Sequence, residues 1–148
     1  MRIMAIDFGG RRVGVALSDP SGTIVRPLTL LERKGDGKDI AVMLDLVRDN
    51  DVGTVVFGLP YDDDGNPTPF GKKIILFKEK LARQLKHKNL GHVLVDTFDE
   101  TMTSIDAHDE LKGMGVKYAR RKKEVDKMAA VLILKGWLEN QRCLKDLQ

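Results

Sequence analysis

The first 19 residues constrain the fold most strongly, because they place a carboxylate between two apolar segments. They read MRIMAIDFGGRRVGVALSD. An apolar run ends at Asp7, two glycines interrupt the pattern, and a second apolar run follows. This order predicts a β-hairpin that is buried on at least one face, with glycines at the bend. A charge at the end of a buried strand is costly to desolvate, so Asp7 needs a cation, a hydrogen-bond network or a substrate nearby.

The length of 148 residues predicts a single domain, residues 1–148, in which about residues 142–148 form a frayed tail. The single cysteine, Cys143, cannot form an internal disulfide. The chain also begins with a strand-like segment rather than a secretory leader, so we expect a cytoplasmic location. No apolar run approaches the ~20 residues that cross a membrane, and no membrane association is expected.

The net charge of +3 is unevenly distributed along the chain. Residues 70–88 carry an excess of six positive charges, and residues 112–127 carry an excess of five. The rest of the chain is therefore acidic. This separation favours a polyanionic partner, such as nucleic acid, that approaches one side of the molecule. Solvated faces of ordinary helices would produce the same pattern.

The order of apolar patterns predicts an α/β fold. A third extended segment spans residues 22–31, where Pro27 indicates an edge strand or a bulge. The segments that follow are a helix opened by Asp39 and ending near Asn50, a strand at 53–59, a basic helix at 70–88, a strand at 91–96, a helix from 101–104 to Leu111, a basic loop at 116–123 and a last helix at 124–141. Three antiparallel strands followed by βα units predict a mixed five-stranded sheet with helices on both faces.

Three acids occur where the surrounding apolar residues should exclude them: Asp7, Glu100 and Asp126. Helical spacing places Asp126 on one face with Ala130 and Ile133, so it points toward the protein. If the sheet gathers the three carboxylates, divalent cations must neutralise them, and oxygen-only ligands favour Mg²⁺ or Mn²⁺. Two such ions ~4 Å apart can activate water and stabilise the leaving oxygen of a phosphodiester. The alternative is that each acid caps a helix or pairs with a lysine.

Four motifs in order give the chain a resemblance to a known family. They are Asp7-Phe8-Gly9 with Arg12 to Asp19, Gly58-Leu59-Pro60 with Asp64-Gly65, Asp99-Glu100, and Lys122-Lys123 with Asp126, Ala129, Ala130, Ile133 and Leu134. In these motifs the chain resembles the YqgF-type proteins, which are described as Holliday-junction resolvases and as nucleases that mature the 5′ end of pre-16S ribosomal RNA. The resemblance spans nearly the whole chain.

The resemblance implies an RNase H-like fold and a two-metal-ion nuclease. Asp7 would bridge two Mg²⁺ or Mn²⁺ ions, and Glu100 and Asp126 would each complete one coordination sphere. Two departures from the family pattern stand out. Thr101 replaces the arginine that usually follows the Asp-Glu pair, and Ala129 stands where related resolvases have a fourth acid.

Basic residues near these acids are the candidate nucleic-acid contacts. Arg12 follows the Asp7 bend closely enough to reach a phosphate or to pair with an acid of the site. Lys122 and Lys123, with Arg120 and Arg121, precede Asp126 and would hold the phosphate backbone, which gives affinity rather than sequence choice. The Asp62 to Asp64 run and Asp106 could assist the site, but an exposed loop is the simpler interpretation of the run.

The family association favours precursor ribosomal RNA as the substrate, in free form or within a ribosomal precursor particle, over junction DNA. A junction resolvase would need a two-fold dimer to cut two strands symmetrically, and we expect a monomer or a weak homodimer. A non-catalytic nucleic-acid-binding factor in ribosome maturation is the rival function, motivated by the missing arginine after Glu100. An actin-like ATPase would need a second domain, which 148 residues do not supply.

Overall fold

The computed structural model describes residues 1–100 and 118–146, with side chains described from Met128 onward in the last helix. Its centre is a five-stranded sheet in the order β3-β2-β1-β4-β5. The strands are β1 (Arg2–Phe8), β2 (Arg12–Ser18), β3 (Val25–Glu32), β4 (Val52–Leu59) and β5 (Leu94–Asp99). The helices are α1 (Asp36–Asp49), α2 (Pro69–His87) and α3 (Tyr118–Asp146). The predicted mixed sheet with helices on both faces is confirmed.

Two kinds of strand pairing meet in β1. It pairs antiparallel with β2, which pairs antiparallel with β3, and it pairs parallel with β4, which pairs parallel with β5. The edge position and the bulge that Pro27 predicts are both present, since β3 is an edge strand and its register shifts between Thr29 and Pro27. Proline lacks the N–H that an uninterrupted ladder requires.

The larger core lies on the face of the sheet that α1 and α2 cover. Successive side chains of a strand point to opposite faces, so Met4, Ile6 and Phe8 of β1 enter this core together. The helices contribute Ile40, Met43, Leu44, Val47, Ile74, Phe77, Leu81 and Leu85. Each buried aliphatic or aromatic side chain contributes about 1.5–3 kcal/mol relative to exposure, which fixes α1 and α2 against the sheet.

Of the described helices, only α3 covers the opposite face, where it contacts all five strands. Small residues line this contact, because Ala5 and Ala16 of the sheet face Ala130 of the helix, with Ile133 and Leu134 beside them. All five are fully buried. The small side chains let the helix axis approach the sheet closely.

The boundaries of β5 differ from the prediction. The strand was predicted at residues 91–96, but it runs from Leu94 to Asp99. Residues 88–93 instead form the turn that follows α2, in which Asn89 has a φ of 61° and Val93 N–H donates to Leu90 O at 3.0 Å. Pairing with β4 then continues as far as Leu59 opposite Asp99.

Asp39 does not cap α1, contrary to the prediction. The helix begins three residues earlier, at Asp36, after Gly35 with a φ of 113°. The buried Asp39 carboxylate instead accepts hydrogen bonds from Lys34 N–H at 3.0 Å and from Arg33 Nε at 3.1 Å. It therefore stabilises the segment that connects β3 to α1.

The last helix is longer at both ends than the sequence predicts. It begins at Tyr118, so residues 118–123 are helical rather than a loop, and it continues to Asp146 rather than ending at Gln141 in a frayed tail. Both extensions lack glycine and proline and are rich in residues of high helix propensity. The helix predicted from 101–104 to Leu111 lies outside the described residues. Among the described helices none is long and apolar enough to cross a bilayer.

Candidate active site

The carboxyl ends of β1, β4 and β5 form the candidate site. These strands run parallel, so their ends meet at one edge of the sheet. Asp7 lies near the end of β1, and Glu100 follows the last residue of β5. The backbone N–H of Glu100 donates to Leu59 O at 3.2 Å, which fixes Glu100 beside the end of β4.

Asp7 and Glu100 lie on the face that α3 covers. Ala5, two residues before Asp7, and Phe98, two residues before Glu100, both belong to the α3 core. Alternation along the strands places the two acids on that same face. The side chains of Asp7 and Glu100 are joined by a hydrogen bond. The sheet thus brings together two of the three predicted carboxylates, which are far apart in the sequence.

The hydrogen bond between the two carboxyl groups requires one proton, since two carboxylates are both acceptors. Burial raises the pKa of Glu100 above its ordinary value of 4.5, and the negative charge of Asp99 raises this pKa further. The hydrogen bond with Asp7 opposes these effects in part. The pair therefore binds a proton more tightly than an exposed glutamate does.

Contacts on the opposite face hold the end of β1 in place. The guanidinium of Arg33 lies 4.2 Å from the centre of the Phe8 ring, and it also binds Asp36 and Asp39 at 2.7 and 3.1 Å. Because Phe8 directly follows Asp7, this cluster limits the movement of the strand end. Lys80 binds Asp36 at 2.8 Å and so connects the cluster to α2.

The bend after Asp7 is a tight turn. The backbone N–H of Gly9 donates to Arg12 O at 2.8 Å, and a Cβ on Gly9 would lie 2.5 Å from that oxygen. Glycine at this position is therefore a steric requirement. The turn places Arg12, at the start of β2, in register with Glu32 of β3.

The donor atoms of the site suit a hard divalent cation. Asp7 and Glu100 supply carboxylate oxygens at hydrogen-bonding distance from each other, and a cation could replace the proton that they share. Within residues 1–100 and the described side chains of α3, no group of three His, Cys, Asp or Glu residues is arranged to hold a metal ion. Asp126 lies in α3, but its side chain is outside the described part.

The remaining predicted residues occupy the following places. Arg120, Arg121, Lys122 and Lys123 lie in the first turns of α3, whose first turn carries no acid. The Asp62 to Asp64 run is an exposed loop, as predicted, in which Asp62 Oδ1 accepts hydrogen bonds from Asp64 and Asn66 N–H at 3.0 Å. Asp106 lies outside the described residues. The roles of these basic and acidic residues stay predictions.

Sequence reasoning missed two contributions to the site. It identified Asp99 only as part of a motif, whereas its charge raises the pKa of Glu100. It also gave no role to Gly58, although the Glu100 carboxylate lies directly over this residue. A glycine within the apolar strand sequence GTVVFGL is the available signal, because it often marks a close approach of another group.

Comparison with known sequences identifies relatives over nearly the whole chain. Residues 1–140 match the family model described as "RuvX: Holliday junction resolvase". A protein of Thermoanaerobacter pseudethanolicus is 36% identical over 143 residues, which cover 96% of this chain and 99% of that protein. A protein of Desulforudis audaxviator is 37% identical over 142 residues, which cover 96% of each. Both carry the name "Putative pre-16S rRNA nuclease".

Solved structures share the fold at low sequence identity. Thermus thermophilus RuvC, in complex with a Holliday junction substrate, has a TM-score of 0.59 and 13% identity, with 96% of both chains covered. The fowlpox virus Holliday junction resolvase has a TM-score of 0.53 and 18% identity, with 95% of this chain and 99% of that chain covered. These similarities establish the RNase H-like fold predicted from the sequence motifs.

Proposed function

This chain belongs to the RuvX family, and from that premise we propose that it is a metal-dependent endonuclease that hydrolyses phosphodiester bonds in structured nucleic acid. One observation carries the proposal. Asp7 and Glu100 come from distant parts of the sequence, yet they share a hydrogen bond at the carboxyl ends of parallel strands. Such a pair gains little stability without a cation and is suited to binding one.

Two metal ions, either Mg²⁺ or Mn²⁺, would be held by Asp7, Glu100 and Asp126. When bound, such ions activate a water molecule and stabilise the leaving oxygen of the phosphodiester. The chain itself fixes the two strand-end carboxylates through β-sheet pairing and through the Arg33 cluster behind Phe8. This support matters because a displacement of ~0.5 Å is enough to weaken a catalytic constellation.

Positive charge in the sequence of α3 supports binding of a phosphate backbone. The first turns of α3 carry the four basic residues predicted for this role, Arg120, Arg121, Lys122 and Lys123. Such a cluster of positive charges would bind the phosphate backbone and contribute affinity rather than sequence choice. Arg12, at the start of β2, would contact a phosphate from the Asp7 bend.

The names of the curated relatives favour precursor 16S ribosomal RNA as the substrate, and we propose maturation of its 5′ end as the reaction. The family model favours junction DNA. A cleavage assay that offers the purified protein precursor ribosomal RNA and junction DNA in parallel, with and without Mn²⁺, distinguishes the two. We expect metal-dependent cleavage of the RNA.

The matched variant is Asp7→Asn, which keeps the shape of the side chain but removes its negative charge. We expect it to abolish cleavage and to leave nucleic-acid affinity intact, as measured by filter binding. Metal-dependent cleavage by purified Asp7→Asn would refute the proposed active site. Wild-type protein that binds RNA but neither binds Mn²⁺ nor cleaves would instead be a non-catalytic ribosome-maturation factor.

A further inference from the structure

We propose that Gly58 is a positioning residue. Because Gly58 has no side chain, the Glu100 carboxylate can lie directly over it and contact Asp7. The inference rests on the proposed metal-dependent function and deepens it. It assigns a role to the second sequence motif, Gly58-Leu59-Pro60, which contains none of the proposed metal ligands.

The order of the strands explains why a residue without a side chain is needed between the two acids. Asp7 lies on β1 and Glu100 follows β5, and these strands are not neighbours, because β4 lies between them. Adjacent strands are about 4.8 Å apart, so the backbones that carry the two acids are separated by about 10 Å. Their side chains can meet only by leaning over β4 on the α3 face.

Gly58 is the residue of β4 over which they meet. It pairs with Phe98 in the β4–β5 ladder, two residues before Glu100. A Cβ on Gly58 would lie 2.7 Å from Oε2 of Glu100, whereas ordinary contacts of a Cβ begin at 3.4 Å. Alanine at this position would therefore displace the carboxylate by about 0.7 Å, which exceeds the ~0.5 Å tolerance of a catalytic site.

The same Cβ would also collide with Cδ1 of Ile133, which anchors α3 on the sheet. Gly58 thus serves the docking of α3 as well as the position of Glu100. A purely structural role and a positioning role must be separated by experiment. Ile133→Val offers the separation, since it removes Cδ1, the nearer of the two Ile133 atoms, keeps Cγ1 at 3.0 Å and leaves the approach to Glu100 unchanged.

The experiment measures Mn²⁺ binding by calorimetry, urea unfolding without metal, and cleavage across a range of Mn²⁺ concentrations. It compares wild type, Gly58→Ala and Gly58→Ala/Ile133→Val. We expect both variants to bind Mn²⁺ about 10–100-fold more weakly than wild type, which is the range for loss of a group that orients metal ligands. The double variant should recover part of the stability that Gly58→Ala loses, but not the Mn²⁺ affinity.

Gly136→Ala is the matched control. This glycine lies on α3, and a Cβ there would lie 2.8 Å from Cε1 of Phe98. It therefore also disturbs the packing of α3 on the sheet, while the three heavy atoms nearest to its Cβ all belong to Phe98 and none to Glu100. We expect a smaller loss of Mn²⁺ affinity than in either Gly58 variant, because a shift of α3 also moves Asp126 but leaves the approach of Glu100 to Asp7 open.

Three outcomes would overturn the assignment of Gly58. The first is wild-type Mn²⁺ affinity in the double variant. The second is a loss of Mn²⁺ affinity in Gly136→Ala as large as that in Gly58→Ala. The third is failure of both Gly58 variants to fold, which would make Gly58 a packing residue alone. Failure of the proposed function has a different signature, because the wild-type protein itself would then bind no Mn²⁺.

Discussion

Replacing Glu100 with glutamine should stabilise the metal-free protein at neutral pH. In wild type, deprotonation of Glu100 leaves a buried charge beside Asp7 and near Asp99, and this cost raises its pKa. A glutamine has nearly the same shape and carries no charge. Its amide N–H₂ can donate to the Asp7 carboxylate at every pH, so the contact between β1 and β5 no longer depends on a shared proton.

The sign and size of the effect follow from proton linkage. The pKa of Glu100 is higher in the folded protein than its ordinary value of 4.5, so the folded state binds more protons than the unfolded state between these two pKa values. The contribution of the protonated pair is fully present below the unfolded pKa and is lost as the pH rises through the folded pKa. For one proton the free energy of unfolding falls by at most about 1.4 kcal/mol per pH unit within this window.

The assay is urea unfolding of wild type and Glu100→Gln in EDTA, at intervals from about pH 4 to about pH 8. The stability of the variant minus that of wild type should increase with pH and then level off above the folded pKa of the pair. A constant difference, or a wild type that gains stability relative to the variant as the pH rises, would refute the burial and charge interactions assigned to Glu100. The variant should also lose Mn²⁺ binding. Glu100 would then lower the stability of the metal-free protein at neutral pH and yet be needed to bind the metal.

Two further predictions concern the stability of α2 and of the pairing between β1 and β2. Thr68→Ala removes the side-chain cap of α2, in which the hydroxyl oxygen of Thr68 accepts a hydrogen bond from Gly71 N–H at 3.0 Å. Urea unfolding should show that the free energy of unfolding falls by about 0.5–2 kcal/mol. A smaller change would mean that solvent replaces the cap. Ser18→Ala leaves the backbone N–H of Ile3 without its acceptor, which lies at 3.0 Å. The free energy of unfolding should fall by about 1–3 kcal/mol, and the amide of Ile3 should exchange faster. Unchanged exchange at Ile3 would contradict the assigned hydrogen bond.

The order of the elements along the chain and the antiparallel pairing of the first three strands were accessible from the sequence because their signals are local. Glycines after Asp7 indicate the first turn, and Pro27 indicates an edge. Helix ends were less accessible. The basic residues near Tyr118 suggested a loop because they interrupt the apolar pattern, yet helix propensity and the absence of a breaker decide the outcome.

The candidate site divides in the same way. Asp7 and Glu100 could be predicted individually, since each is an acid at the end of an apolar run. Their hydrogen bond could not, because it depends on the register by which Leu59 meets Asp99 and on the strand that separates them. The role of Gly58 was inaccessible for the same reason. The space above this residue of β4 is used by Glu100, which follows β5, to reach Asp7 on β1.

The close approach of α3 to the sheet has a consequence for how this chain can vary. On the α1 and α2 face, large aliphatic and aromatic residues fill the core, and one can exchange for another of similar volume with adjustment by its neighbours. On the α3 face, Ala5, Ala16 and Ala130 are already near the lower limit of size. Almost every substitution at these three positions adds volume and pushes outward the helix that carries Asp126. Side-chain size is therefore free to vary over much of the α1 and α2 face and is restricted at the three alanines beneath α3.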